Sequence, residues 1–247
     1  MTKRTTRDNM KINGFSEEDT NKIKDAFDDA MNIGKAVLTT STTIVDPIFK
    51  KYFLSKDKDL VFSVFRKITG NNAEYSGDPL LATLNTIPNA EIEGTPACDG
   101  STIAELDILE NNALILCKEA LLYGYTNDGK TPLSCDTIGN TLDHTKSTLG
   151  GALLHEWTHW EALVVPPLSG QVEDIQYGPW QVQNLLSKDK APYNADSYHW
   201  FGNEVFWTVK CGHEFGSKRD YVEPSMREDF KIEDETDDGC CAQCVVL

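Results

Sequence analysis

The sequence of 247 residues lacks a basic surplus and any long apolar run. It has 23 lysine and arginine residues against 39 aspartate and glutamate residues, a formal net charge of -16. Such a surface repels phosphate backbones, so we expect no nucleic acid partner. No apolar run reaches about 20 residues, the length of a membrane-spanning helix. Residues 1–13 also lack the apolar centre of a secretory signal, as expected of an intracellular protein, a mature secreted form or an incomplete sequence.

Cysteines are few, and the four dispersed ones include no CxxC pair, which argues against a structural zinc site. These four are Cys98, Cys117, Cys135 and Cys211, and three more crowd the C-terminus at Cys240, Cys241 and Cys244. Spacing alone leaves open whether the four are buried free thiols or form long-range disulfides. A chain of this length and ordinary apolar content can bury a core without such links.

Apolar periodicity predicts helices on both sides of a short β region. Ser16 begins a capping box with Asp19, and the pattern after it predicts a helix over 16–38. Further helices are predicted over 43–53, 56–68, 148–160, 178–187 and 195–209. A buried strand is predicted over 113–116 and a turn, compatible with a hairpin, at 127–129. This order predicts an α+β fold. We expect a loose segment over 1–15, a domain over 16–215 and an acidic, cysteine-rich tail over 216–247.

The strongest functional signal is an HExxH pattern, which is His155-Glu156-Trp157-Thr158-His159. On a helix the two histidines lie one turn apart on the same face, so both imidazoles can bind one metal ion. Glu156 can accept a proton from the water that zinc activates at neutral pH. The motif therefore predicts a zinc-dependent peptidase with Glu156 as general base. The alternative is a helix with two hydrogen-bonded histidines.

A catalytic zinc site needs a third protein ligand and an open fourth position. The candidates downstream of the motif are Glu161, Glu173, Asp174, His199, Glu204 and His213. Pro166-Pro167 breaks the helical pattern, and Glu173 and Asp174 are the first acids after that break. Spacing alone does not choose among these candidates.

Two further segments make the chain resemble the deuterolysin-type fungal metallopeptidases, the aspzincins. That family follows HExxH with Gly-Thr-x-Asp-x-x-Tyr-Gly, and residues 174–178, Asp-Ile-Gln-Tyr-Gly, match its second half. Residues 194–198, Asn-Ala-Asp-Ser-Tyr, match a segment that the family often carries further along. The upstream helices also resemble those of the family, so the resemblance covers roughly residues 16 to 211.

The resemblance implies a zincin-like fold, mainly helical with a small β-sheet, and zinc as the cofactor. It makes Asp174 the third ligand and lets Tyr177 stabilise the oxyanion of the reaction. The family's Gly-Thr pair is replaced by residues 171–172, Gln-Val, which leaves Glu173 as a rival ligand. In lysine-specific members two acids three residues apart bind the substrate lysine; Asp196 matches the first, and His199 occupies the position of the second, so both are expected substrate contacts. Because His199 replaces an acid, the resemblance does not carry a lysine preference over to this chain.

The resemblance also bears on location. It implies disulfides between Cys98 and Cys117 and between Cys135 and Cys211, and hence an extracellular protein. The alternative is a cytoplasmic protein anchored through Cys244, because the last four residues, Cys-Val-Val-Leu, have the form of a prenylation box. We expect a membrane partner only in that second case, and we expect a monomer.

Two functions of different class are compatible with these signals. The first is a zinc-dependent endopeptidase that hydrolyses proteins or peptides. The second is a non-catalytic zinc-binding or effector-type protein on the same scaffold. Glu156 favours the enzyme, because a protein that only binds zinc does not require a general base.

Overall fold

The computed structural model describes residues 6–89, 98, 102–108, 112–124 and 132–219. Within these residues the chain forms seven α-helices, which are α1 (Glu17–Thr39), α2 (Thr42–Tyr52), α3 (Lys58–Ile68), α4 (Leu149–Thr158), α5 (Glu161–Val164), α6 (Pro179–Asn184) and α7 (Ala195–Cys211). The six strands in the same residues are β1 (Lys11–Ile12), β2 (Asn85–Pro88), β3 (Ala104–Asp107), β4 (Ala113–Leu116), β5 (Thr141–Leu142) and β6 (Gly216–Ser217). The fold is α+β, as the sequence predicts.

Six of the seven helices lie where the apolar periodicity predicts them and differ from the predicted ranges only by a few residues at their ends, whereas the short α5 is not predicted. α1 begins after Ser16, whose hydroxyl accepts a hydrogen bond from the Asp19 N–H at 3.1 Å, as the capping box predicts. α3 ends at Ile68, and the chain then turns through left-handed φ values of 87° at Gly70 and 49° at Asn71.

Four strands form a mixed sheet in the order β1-β2-β4-β3. β1 and β2 pair in parallel, as do β2 and β4, whereas β3 and β4 are antiparallel. Leu114 and Leu116 of β4 join the main core, while Ala113 and Ile115 join a smaller cluster with Ile87. Burial on both faces explains why β4 is a continuous apolar run. β3, the last strand in this order, contacts α4, the helix that carries HExxH.

Helices α1, α4 and α7 pack against one another at the centre of the main core. Gly150 of α4 permits this approach, because a Cβ there would lie 2.7 Å from Asp29 Cβ and 2.8 Å from the Ala26 carbonyl oxygen of α1. All residues of α4 are consequently buried. The HExxH helix is therefore a core helix with neighbours on every side, not a surface helix with one apolar stripe.

Described residues on both sides of the domain predicted over 16–215 make defined contacts with it. Residues 6–12 belong to the segment predicted to be loose, yet the Thr6 hydroxyl donates to the Gly77 carbonyl at 2.9 Å. Arg7 also forms ion pairs with Asp25 and Asp28, and β1 extends the sheet. At the other end β6, inside the predicted tail, pairs with β5. Polar contacts and strand pairs hold both ends, and apolar periodicity does not detect such contacts.

Two disulfides are present among the described residues. Cys98 bonds to Cys117 with a Cα–Cα distance of 5.5 Å, and Cys135 bonds to Cys211 with a distance of 5.3 Å. These are the two pairs that the family resemblance implies. The second disulfide ties the end of α7 to the segment before β5 across 76 residues of sequence.

Some predicted features lie outside the described residues. They are the turn at 127–129 and, beyond residue 219, the acidic tail with its C-terminal box at Cys244. Among the helices that the structure does describe, none combines the length and the apolar character that crossing a bilayer requires.

Candidate metal centre

Helix α4 presents the two histidines of the HExxH motif together. The helix begins after Thr148, whose hydroxyl accepts from the Gly151 N–H at 3.0 Å, and it ends at Thr158 with His159 as its C-cap. The rings of His155 and His159 have their centroids 5.1 Å apart. The one-turn spacing of the motif therefore brings both imidazoles to one place, as the sequence predicts.

Asp174 reaches the same place from a separate segment. The chain leaves α5, passes the proline pair at 166–167 and then runs beside the start of α7. There the Glu173 N–H donates to the Tyr193 carbonyl at 2.9 Å, and the Ala195 N–H donates to the Glu173 carbonyl at 3.0 Å. This bridge sets Asp174 Oδ1 at 3.0 Å from His155 Nε2 and 3.4 Å from His159 Nε2.

The described residues contain two groups of three donors that can hold a metal ion. One is His155, His159 and Asp174, and the other is His155, Asp196 and His199. Glu173 belongs to neither group. Glu204, another predicted candidate, is instead buried against Lys51 and the Tyr52 hydroxyl, which lies 2.8 Å from its Oε2.

Hydrogen bonds on the far side of each ring fix both histidines. His155 Nδ1 lies 2.8 Å from Asp196 Oδ1, and His159 Nδ1 lies 2.9 Å from the Val172 carbonyl oxygen. Both oxygens only accept hydrogen bonds, so each Nδ1 donates, and each Nε2 is left facing Asp174, where a bound metal ion would take its lone pair. Histidines that bind a metal usually donate the N–H of their other ring nitrogen to a carboxylate or a backbone carbonyl in this way.

The donor set fits a zinc ion. Two donors on one tetrahedral zinc, each about 2.0–2.1 Å from the metal, lie about 3.4 Å from each other. The distances of 3.0 and 3.4 Å from Asp174 Oδ1 to the two Nε2 atoms are close to this value. Two imidazole nitrogens and one carboxylate oxygen also make a ligand set of the catalytic type, with one position left open.

The charges of the site favour a cation. Burial lowers the pKa of His155, but its hydrogen bonds to Asp174 and Asp196 outweigh burial and raise that pKa well above its usual value. Burial raises the pKa of Asp174, but the hydrogen bonds from His155 and His159 outweigh it and hold that pKa far below its usual range. The carboxylates therefore stabilise positive charge at the point where the three donors meet.

Glu156 and Tyr177 flank this point. Glu156 is 7% exposed, with one carboxylate oxygen 3.9 Å from His155 Nε2, and burial raises its pKa. The ring of Tyr177 stacks on His155 with centroids 6.0 Å apart. Tyr177 is 46% exposed, so it lies at the solvent side of the site. Both predicted catalytic side chains are therefore beside the predicted ligands.

Asp196 and His199, predicted as substrate contacts, are 5% exposed. Asp196 Oδ1 accepts from His155 Nδ1 and, at 3.2 Å, from His199 Nδ1. Its Oδ2 accepts from the Gly178 N–H at 2.6 Å and from Trp200 Nε1 at 3.0 Å. These contacts hold the ring of His155 from behind and leave Asp196 almost no surface open to solvent.

Three contributors to the site are absent from the sequence prediction. The Val172 carbonyl holds His159, Ser147 hydrogen-bonds His199, and Gly151 makes room for His199. Of the three, only Gly151 could be predicted from the sequence. Paired glycines at 150–151 inside a helical pattern indicate that a neighbouring element approaches the helix closely.

The fold of this chain is similar to that of a known protein. No protein-family model matches the chain, and a search of curated proteins finds no match. Among solved structures, the chain is similar to a zinc peptidase from Grifola frondosa, with a TM-score of 0.51 and 18% sequence identity. The similarity covers 77% of this chain and 97% of that one. The chain therefore shares its α+β fold with this zinc peptidase, which agrees with the zincin-like fold that the resemblance to deuterolysin-type enzymes implies.

Proposed function

We propose that the chain is a zinc-dependent endopeptidase. The observation that carries the proposal is that Asp174 Oδ1 lies 3.0 Å from His155 Nε2 and 3.4 Å from His159 Nε2, directly beside Glu156. The similarity in fold to a zinc peptidase supports it independently of these distances.

His155, His159 and Asp174 would hold the zinc ion. When bound, zinc supplies a Lewis acid that polarises the scissile carbonyl and makes water a better nucleophile at neutral pH. Glu156 is the general base that takes the proton of the attacking water and afterwards gives it to the leaving amine. Its burial suits this role, because a raised pKa makes the carboxylate a stronger base.

Tyr177 is the proposed oxyanion partner. Its ring lies over His155 and the residue is about half exposed, so the hydroxyl can turn toward a bound substrate. Its partial burial and the nearby charge of Asp174 raise its pKa above the usual value, so the hydroxyl keeps its proton at neutral pH. A protonated phenol can donate a hydrogen bond to a developing oxyanion.

The proposed catalytic domain is the region predicted over 16–215, together with the packed flanks 6–15 and 216–219. We also propose that it acts outside the cell. Two disulfides support this location, because such bonds persist in oxidising compartments. Lipid attachment at Cys244 stays a prediction, which mass spectrometry of the natural C-terminus tests.

The test compares the parent protein with Glu156→Gln and with Glu161→Gln, an exposed residue of α5 that undergoes the same change of charge. We expect the parent and Glu161→Gln to cleave casein, to stop when a chelator removes zinc and to recover when zinc returns. Glu156→Gln should keep one zinc per chain and lose about 10²- to 10⁴-fold in kcat, the usual contribution of a general base.

Two outcomes would count against this mechanism. Cleavage of casein by Glu156→Gln at the parent's rate would remove Glu156 from its role. One tightly bound zinc per parent chain, with no cleavage of any protein or peptide in a broad panel, would favour the non-catalytic zinc-binding alternative.

A further inference from the structure

Behind the proposed metal ligands lies a second row of buried polar side chains. Ser147 Oγ lies 3.0 Å from His199 Nε2, and His199 Nδ1 lies 3.2 Å from Asp196 Oδ1. The same Asp196 oxygen lies 2.8 Å from His155 Nδ1. A continuous chain of hydrogen bonds therefore runs from Ser147, before α4, through α7 and back to a metal ligand on α4.

The direction of each hydrogen bond follows from the chemistry of the groups. A carboxylate only accepts, so both His155 Nδ1 and His199 Nδ1 donate to Asp196. Burial lowers the pKa of His199, and its hydrogen bond to Asp196 only partly opposes that shift, so the ring is neutral at pH 7. A neutral ring protonated at Nδ1 has an acceptor at Nε2, which the Ser147 hydroxyl satisfies.

The surroundings leave His199 little freedom. Trp200 stacks on its ring with centroids 4.6 Å apart and donates from Nε1 to Asp196 Oδ2. On the other side, a Cβ at Gly151 would lie 2.7 Å from His199 Nε2, so α4 touches the ring closely. His199 is therefore fixed by stacking, by close packing and by two hydrogen bonds.

Ser147, His199 and Asp196 are connected in the order of a serine hydrolase triad, but their burial argues against nucleophilic catalysis. Ser147 is 4% exposed, and His199 and Asp196 are each 5% exposed, so no substrate carbonyl can reach the hydroxyl. Asp196 is also shared with His155, which a triad does not require. The geometry suits support of His155.

We propose that His199 is a positioning residue, which acts through Asp196 to fix the ring orientation of His155 in the metal centre. This inference rests on the proposed function, since it requires His155 to bind zinc. His199 orients Oδ1 of Asp196, and that oxygen in turn sets the direction in which His155 Nε2 points.

The test uses variants of His199 in the full chain. His199→Phe keeps a flat ring but has no hydrogen-bonding atoms. His199→Asn keeps an amide donor near the position of Nδ1, whereas His199→Gln places its amide near Nε2 and loses the donor to Asp196. Trp207→Phe is the control, because Trp207 is a core residue of the same helix, 2% exposed.

The readouts are zinc affinity, by competition with a chelator, and the visible absorption spectrum of the cobalt-substituted protein, which reports ligand geometry. We expect His199→Phe to bind zinc about tenfold more weakly and to change the cobalt spectrum. This loss of affinity is the low end of the range for losing a group bonded directly to a metal ligand, because His199 acts through Asp196. His199→Asn should recover most of the affinity, His199→Gln should not, and Trp207→Phe should match the parent.

Other results would contradict either the inference or the proposed function. Parent-like zinc affinity and an unchanged cobalt spectrum in His199→Phe would overturn the inference and leave the proposed function intact. Two metal ions per parent chain, one of them lost in His199→Phe, would make His199 a ligand instead. No zinc binding by the parent would remove the proposed function, and the inference with it. If His199→Phe does not fold, equal affinities of the Asn and Gln variants would overturn the inference.

Discussion

Replacing Gly151 with alanine tests how firmly the polar row behind the metal centre is packed. A Cβ at this position would lie 2.4 Å from Asn203 Nδ2 and 2.7 Å from His199 Nε2. Asn203 is 0% exposed and His199 is 5% exposed, so neither side chain has open space to move into. The added methyl group must therefore displace one of them or push α4 away from α7.

Two effects of opposite sign decide the size of the change. Overpacking a core costs about 1–3 kcal/mol, whereas alanine in place of glycine inside a helix stabilises by about 1 kcal/mol. We expect the free energy of unfolding to fall by about 1 kcal/mol, which lowers Tm by about 2–4 °C in a chain of this size. Because His199 must shift, zinc affinity should fall about tenfold.

The assays are urea unfolding of the metal-free protein and chelator competition for zinc. Gly170→Ala is the matched control, since a Cβ at Gly170 would meet no atom within 4 Å. That variant should keep the parent's stability and affinity. If Gly151→Ala were as stable as the parent and bound zinc equally well, the packing described around His199 would be wrong.

Three further predictions follow from other parts of the structure. Asp174→Ala should lose stoichiometric zinc while Glu173→Ala keeps it, as measured by elemental analysis after dialysis, and zinc retained in Asp174→Ala would contradict the proposed ligand set. Replacing both Cys135 and Cys211 with serine should lower the free energy of unfolding by about 4 kcal/mol, because the disulfide closes a loop with a sequence separation of 76 residues. An unchanged midpoint of urea unfolding would refute this prediction. Burial raises the pKa of Asp29 above its unfolded value, so its contribution to stability is present below the unfolded pKa and is lost as pH rises through the folded one. Asp29→Asn should therefore gain stability relative to the parent as pH rises from about 3 to about 7, whereas parallel pH curves would refute the shift.

The elements with strong local signals are predictable from the sequence. The capping box at Ser16 and the apolar period behind it locate α1, and the apolar run at 113–116 locates β4. The closeness of His155 and His159 follows from helix geometry alone, because residues four apart share a face. These features depend on short stretches of chain, so one sequence is enough to place them.

The rest of the site depends on contacts between distant segments. The bridge between Glu173 and Asn194 turns Asp174, and not its neighbour, toward the histidines. Spacing from the motif carries no information about that bridge. In the same way, the packing of α7 on α4 turns Asp196 toward His155, whereas its place in the matched segment indicates a substrate contact.

The most direct test is a crystal structure of the protein grown with zinc, with anomalous diffraction data collected at the zinc absorption edge. We expect one strong anomalous peak, within bonding distance of His155 Nε2, His159 Nε2 and Asp174 Oδ1, with the Glu156 carboxylate beside the open position. A peak bound by other side chains, or no peak in a crystal in which both histidines are well ordered, would contradict the proposed metal centre.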